Sequence, residues 1–427
     1  MKVTGIIAEY NPFHNGHEYH LSETRKRLKS DYIIVVMSGN YVQRGAPTII
    51  DKYSRAEMAL KAGADLVLEL PTCFATASAE YFAYGGVAIL DKLNIVDNLC
   101  FGTESLDTLD PAASKEGVKV AVQDITDQFG KIADLLVDEP EEFKEILRKG
   151  LKEGLSHAAA RSKAVGEILG EDYVMVMETS NNILGIEYMK ALKKLGSNIK
   201  PDPIARRLTA HNDMAISEGF SSATAIRNAI YNKYDVNSLS ATLPQYAVDI
   251  LTDKYLVNFP IFRDDFSMIL GAELLKANEP SDLTKYFGVS EDLANRILNL
   301  KNDFKSFIQF REDVATKSIT KATVSRALMH IALGITDADM RKLYSADAIK
   351  YVKVLGFRKG SENLLGEIKK NSDIFMVTKL ADVVRGDGKK DKMLMQNVAA
   401  DEMYRMVAMN KFDSDLKNPF TEEIILI

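Results

Sequence analysis

Residues Val3–Leu21 read VTGIIAEYNPFHNGHEYHL. The stretch opens on a short, mostly apolar run, Val3–Ala8. It breaks at the turn dipeptide Asn11-Pro12, then passes Gly16 into a helical pattern. Three of the six histidines, His14, His17 and His20, fall inside seven of these residues. An apolar strand turning directly into a helix begins a β-α-β unit. Ligands of an open parallel sheet bind beyond the carboxyl ends of its strands, near the point where strand order reverses. The histidines therefore stand where a ligand is expected.

The pattern repeats outward. Tyr32–Met37, Asp65–Leu70 and Asn98–Gly102 read as further apolar strands, with helices at Gly16–Leu28, Lys52–Ala62 and Ala79–Leu90 between them. Nearly all-apolar strands alternating with helices predict a parallel sheet covered on both faces. Tyr173–Met177 and Asn198–Ala205 read as later strands flanking a helix at Leu184–Leu195. Pro201 and Pro203 weaken the second of them. The acidic stretch Asp138–Glu145 reads as a helix start. From Leu239 the texture changes. Tyr246–Tyr255, Phe266–Lys276, Ser290–Lys301 and Thr323–Leu333 carry apolar residues at three- and four-residue spacing, with one strand candidate at Ile374–Thr378. The expected division is residues 1–238 and a mainly helical 239–427.

The chain has 427 residues, 54 Lys and Arg against 60 Asp and Glu, and a formal net charge of −6. This excludes a uniformly basic nucleic-acid coat but permits local basic patches. Three are visible: Arg25 to Lys29, Asn299–His330 and Lys350–Gly360. Each could follow a nucleic-acid backbone, and Lys52 and Arg55 could contact phosphate, but all of them also fit a solvated helix face. Cys73 and Cys100 lie in apolar runs without metal or redox spacing and read as buried, reduced thiols. No run of 18 apolar residues and no secretory leader pattern is present, so the expected location is cytoplasmic, with no membrane partner.

His14 and His17 are three apart and share a helix face. With the free N–H groups expected at the helix start, they can address one phosphate chain, as hydrogen-bond donors or as imidazolium. A purely structural pair is the bland alternative. Zinc helix motifs use i, i+4 spacing, and no metal site is assigned. A second feature is FSSATAIRNAI, Phe220–Ile230. Ser221 and Ser222 can cap a helix whose first turns carry Thr224 and Arg227 on one face, a second phosphate clamp.

HxGH after the first strand, with a late Ser/Thr-and-Arg clamp, resembles the nucleotidyltransferase superfamily. The strings GIIAEYNPFHNGHEYHL, VVMSGNYVQRGAP, DKYSRAEMALKAGADLVLELP, FGTES, NNILGIEY and SSATAIR resemble the bacterial tRNA(Met) cytidine acetate ligase family. The resemblance implies a Rossmann-like nucleotidyltransferase domain followed by a helical tRNA-binding domain. It implies that ATP, with Mg2+ as counter-ion, and acetate give acetyl-adenylate. The acetyl group then passes to the wobble cytidine of elongator tRNA(Met), giving N4-acetylcytidine. The ATP-binding segment would be Ile7–His20: Ile7, Ala8, Glu9, Tyr10, Asn11, Pro12, Phe13, His14, Asn15, Gly16, His17, Glu18, Tyr19 and His20. Gly102, one of Asn181 and Asn182, and one of Arg206 and Arg207 would add contacts. His14, His17, Ser222, Thr224 and Arg227 would carry catalysis. Ser38, Gln43 and Arg44 could line the acetate pocket, hold the tRNA end of the site or form a gating loop. Two other readings stay open: a small-molecule adenylyl- or cytidylyltransferase, and a catalytically silent RNA-binding relative.

Overall fold

The structure is a computed structural model that describes residues 1–107, 114–206, 221–344, 349–385 and 391–427. Its ten strands are β1 (Val3–Ala8), β2 (Tyr32–Ser38), β3 (Tyr41–Val42), β4 (Ala46–Pro47), β5 (Leu66–Leu70), β6 (Asn98–Thr103), β7 (Lys200–Ala205), β8 (Tyr351–Phe357), β9 (Phe375–Val377) and β10 (Ile425–Leu426). Eight form one sheet in the order β10-β8-β5-β2-β1-β6-β7, with β9 also paired to β8. β3 and β4 form a separate hairpin.

From β5 to β7 every pairing is parallel, as the apolar strands predict. The chain winds outward from β1 through β2 to β5, then returns to place β6 on the other side of β1. The reversal lies between β1 and β6. Side chains alternate between two cores. Val3, Ile7, Ile34, Val36, Leu66, Leu68 and Phe101 face one. Ile6, Ile33, Val35, Met37, Val67 and Cys100 face the other. Helices Asn15–Leu28, Lys52–Lys61 and Ala223–Tyr231 cover the second face, so the histidine helix and the Ser/Thr-Arg helix lie on one side of the sheet. Helices Ala79–Lys92, Lys115–Asp138 and Ser180–Leu195 cover the first.

β7 closes one edge despite its two prolines. Lys200 N donates to Asp97 O (3.0 Å), so the alternate nitrogens of Pro201 and Pro203 face away from β6 and no ladder bond is lost. Tyr173–Met177 is not a strand. Glu171–Val176 is helical, and its β-branched and aromatic residues pack as one short helix after Gly170. The acid-rich stretch does start a helix, Glu141–Lys152. Both cysteines are free and buried.

The residues after 239 are mainly helical, as read, and Phe375–Val377 is the expected strand. β8 was not expected. It lies antiparallel beside β5, so the sheet itself runs across residue 238. Its Lys353, read as part of a basic patch, is buried inside the protein. No helix among the described residues is long and apolar enough to cross a membrane.

Candidate active site

The loop after β1 is held by the backbone. Arg55, wholly buried, donates to Glu9 O (2.7 Å), Ser38 O (3.0 Å), Ile50 O (3.2 Å) and Gly39 O. It pins the carboxyl ends of β1 and β2 together and is no solvated helix residue. Asn11 Oδ1 accepts from Ile49 N (2.9 Å). Arg227 donates through Nη1 to Asn11 O (2.6 Å) and through Nη2 to Thr224 Oγ1 (2.9 Å). Ser222 caps that helix through Ala225 N (3.1 Å). The two sequence motifs, some 200 residues apart, thus meet at one loop.

His14 is the N-cap of helix Asn15–Leu28, and its Nδ1 accepts from Gly16 N (3.1 Å). His17 Nδ1 accepts from His14 N (3.3 Å), and the two rings stack with centroids 3.6 Å apart. A nitrogen that accepts carries no proton, so each neutral ring holds its proton on Nε2. Both rings are neutral at pH 7. Burial pushes His14 down to about 3, with Arg206 and Arg227 adding to it. Burial and then His14 push His17 well below its usual range. The imidazolium reading therefore fails for the protein alone, and two Nε2–H donors stand in its place.

The expected free N–H groups at this helix start are taken. Asn15 N donates to Thr242 O (3.1 Å), and His17 and Glu18 N donate to His14 O. The carbonyl of Thr242 and the cap by His14 satisfy them, so an anion meets the imidazoles rather than the amides. Tyr246 Oη reaches Glu18 Oε1 (2.9 Å) and fixes the same helix from the side.

Across the β1/β6 reversal, Gly102 lies against Arg206; a Cβ there would meet Arg206 Cγ at 2.8 Å. Arg206 pairs with Glu104 Oε1 (2.8 Å), which also accepts from Asn181 Nδ2 (2.5 Å). Thr179 Oγ1 and Asn182 N donate to its other oxygen, each at 3.1 Å.

A family model described as HIGH Nucleotidyl Transferase matches residues 1–418. A tRNA(Met) cytidine acetate ligase of Acetivibrio thermocellus is 38% identical over 436 residues, covering all of both chains. One from Caldanaerobacter subterraneus is 38% identical over 415 residues, with 96% of each covered. The crystal structure of Thermotoga maritima TmcAL bound with alpha-thio ATP superposes with a TM-score of 0.87, at 31% identity and full coverage of both chains. The chain belongs to the tRNA(Met) cytidine acetate ligase family.

Within this member of the acetate ligase family, the structure sorts the residues named from sequence. It brings together His14, His17, Thr224, Arg227 and Ser222 around the β1 loop, and Gly102, Asn181 and Arg206 beside it. Ile7, Tyr10 and Phe13 turn their side chains into the cores, so that part of Ile7–His20 offers only backbone to a ligand. Asn182 is 2% exposed. Its Oδ1 accepts from Thr103 Oγ1 (2.5 Å) and Glu104 N (3.1 Å), and its Nδ2 donates to Ser105 Oγ (2.9 Å). It is a strut, whereas Asn181 is half-buried and holds Glu104. Arg207 lies outside the described residues. His20 is half-buried: its Nε2 is covered without a hydrogen-bond partner, and burial pushes it down to about 4. Glu104 was not singled out from sequence, although FGTES contains it; an acid two residues after a strand-end glycine was the available signal.

Gly39–Gly45 is an ordered, packed turn. β3 and β4 pair around the turn Gln43–Gly45, where Gly45 has φ +59° and its Cβ position is filled by Ser325 and Arg326 backbone. Lys52 is 2% exposed. It pairs with Glu69 (2.7 Å) and with Asp401, while Lys353 stands 3.5 Å from Asp401. The Arg25 cluster is partly internal too, since Arg25 pairs with Asp65 (2.5 Å) and Arg27 with Asp202. Among the described residues no group of three or more His, Cys, Asp or Glu is arranged to hold a metal ion.

Proposed function

We propose that this chain activates acetate with ATP and acetylates N4 of the wobble cytidine in elongator tRNA(Met), acting in the cytoplasm. The observation that carries the reading is the junction at Asn11: the loop bearing His14 and His17 is tied directly to Arg227 of the Ser/Thr-Arg helix. Two neutral Nε2–H donors and one guanidinium then adjoin the same loop. That set suits a triphosphate whose charge moves onto leaving pyrophosphate.

In the first step an acetate oxygen attacks the α-phosphorus of ATP. A P–O bond forms to acetate, the bond to the β-phosphate bridging oxygen breaks, and pyrophosphate leaves. His14 and His17 donate to the phosphate oxygens that gain charge; Arg227 and Thr224 hold the chain from the other side. Arg206 and Asn181, joined through Glu104, address the nucleoside end beside Gly102. Mg2+ would accompany the triphosphate, supplied with it rather than held by a protein cage, and would offset its charge. In the second step the cytidine amine attacks the acetyl carbon, the bond to the AMP phosphate oxygen breaks, AMP leaves, and the amine's proton passes to solvent. Cytosine's amine is a weak nucleophile, so positioning carries much of the rate. Residues 1–238 would house this chemistry and 239–427 would hold the tRNA.

Purified protein, ATP, labelled acetate and bulk bacterial tRNA should yield labelled N4-acetylcytidine by nucleoside mass spectrometry. The product should require ATP and acetate and be lost in His17→Ala. ATP turnover without acetylcytidine on any tRNA would overturn the reading.

A further inference from the structure

Three guanidinium groups converge beside the β1 loop from separate parts of the chain. Arg44 sits in the β3–β4 turn and is exposed. Arg263 donates to Arg44 O (3.1 Å), Gly45 O (3.3 Å) and Ser325 Oγ (3.2 Å), so it is locked under that turn. Arg311 lies on helix Phe307–Val314, whose start is tied to the Arg263 segment by Ile308 N to Asp264 Oδ1 (2.7 Å). The turn is anchored to the nucleotide loop by Gln43 N to Glu9 Oε1 (2.8 Å).

Their charge is not balanced locally. Neither Arg44 nor Arg263 has a carboxylate partner among the described residues. Arg311 touches Glu312, but Lys321 shares that acid, and Arg311 Nε is buried without a hydrogen-bond acceptor. Arg263 is pushed down to about 10 by burial and by Arg311, Arg227 and Arg44, with Glu9 the acid opposing them. Like charges held this close, partly out of water, favour an anion between them. The planar forks match phosphate oxygens in pairs.

We propose that Arg44, Arg263 and Arg311 form a second anion site, distinct from the triphosphate site, that takes a backbone phosphate of the RNA strand presenting the target base. The proposal rests on the acetate ligase reading above. The triphosphate has its own set, His14, His17 and Arg227, on the near side of the Asn11 loop. The new cluster is built on the β3–β4 turn beside that set, near enough for Arg263 to feel Arg227, and draws two of its three residues from the half beyond 239. A phosphodiester held there would fix the strand at a set distance from the acetyl-adenylate.

The test is tRNA binding by the full chain, followed by fluorescence anisotropy without ATP or acetate. Arg44→Gln/Arg311→Gln should weaken tRNA binding about 10-fold or more and lower the slope of log affinity against log salt by roughly 0.7–0.9 per lost contact. Arg44→Lys/Arg311→Lys should restore most of the slope. If the double variant melts early by circular dichroism, Arg44→Gln alone carries the test, since its side chain makes no hydrogen bond or ion pair among the described residues; it should show one contact's loss. Unchanged affinity and slope in a folded variant would overturn the site. So would loss of ATP affinity with tRNA binding intact, which would assign the cluster to the triphosphate. A wild-type protein that binds tRNA with this salt slope yet makes no acetylcytidine would fail the reaction reading and leave the site standing.

Discussion

Two charged regions lie near the carboxyl ends of β5 and β1, with β2 between them, and are built on opposite rules. At β5, Lys52 and Lys353 meet Glu69 and Asp401, all four side chains at most 7% exposed. Two cations face two anions, and Asn40 Nδ2 adds a bond to Asp401 (3.0 Å). At β1, the cations Arg227, Arg263 and Arg44 face backbone carbonyls, hydroxyls or solvent, and the histidines beside them are neutral donors. The first region is complete in itself. The second has no such local acid pairing, and on the site proposed above an anion completes it. Charge left without a local partner is thus a better marker of function here than charge as such.

The contrast can be broken most severely from the closed side. Asp401→Ala leaves two buried ammonium groups with Glu69 alone. It should cost about 3–5 kcal/mol, the usual result of removing one member of a buried ion group. A urea titration followed by circular dichroism would show it as a large drop in midpoint. A midpoint close to wild type would erase the distinction between the regions.

On the open side the loss should fall on rate instead. Asn is a good N-cap, so His14→Asn keeps the helix start while removing the ring's Nε2–H. Acetate-dependent ATP–pyrophosphate exchange should fall about 10²–10³-fold. The urea midpoint should stay within about 0.5 kcal/mol of wild type. A large midpoint loss with normal exchange would make His14 a structural cap.

Acid should expose the same asymmetry more gradually. His14 is pushed down to about 3, and His330, buried against Thr76 and Phe287, to about 4. Both lie below the ordinary 6.5, so protons bind the unfolded chain more readily. Their stability contribution is whole above pH 6.5 and falls as pH drops toward 4, by up to about 1.4 kcal/mol per pH unit for each. Urea midpoints at pH 7, 6, 5 and 4 measure it. Bound ATP should flatten the curve only if its phosphates meet the His14 side. The smallest effect should be Ser222→Ala, which removes one cap and costs about 1 kcal/mol. It would be seen as a shift of a few degrees in melting temperature.

Much of this was legible in the sequence, and the parts that were not share a cause. β1, β2, β5 and β6 and their helices announce themselves because their burial is continuous and local. The HNGH pair and the Ser/Thr-Arg helix were readable because caps and turns are short-range. Lys52, Arg55 and Lys353 looked like solvated cations because their acceptors are either far along the chain or backbone carbonyls. Asp401 is about 350 residues from Lys52, and the carbonyls around Arg55 carry no sequence signal at all. β8 was hidden for the same reason, since Lys353 in its middle argues against a buried strand until Glu69 is known to face it. YVMVM at Tyr173–Met177 misled in the other direction, because β-branched residues mark a strand only when a neighbouring strand exists to pair with.

β8 also sets a timetable. The free side of β5 is finished near Leu70, but its partner is made roughly 290 residues later. At ribosomal speeds that is about 15–60 s, during which a flat apolar edge has no neighbour. A nascent chain of this kind has to be sheltered until its last fifth emerges. A shortened message ending anywhere before β8 would yield an aggregating product rather than a smaller enzyme.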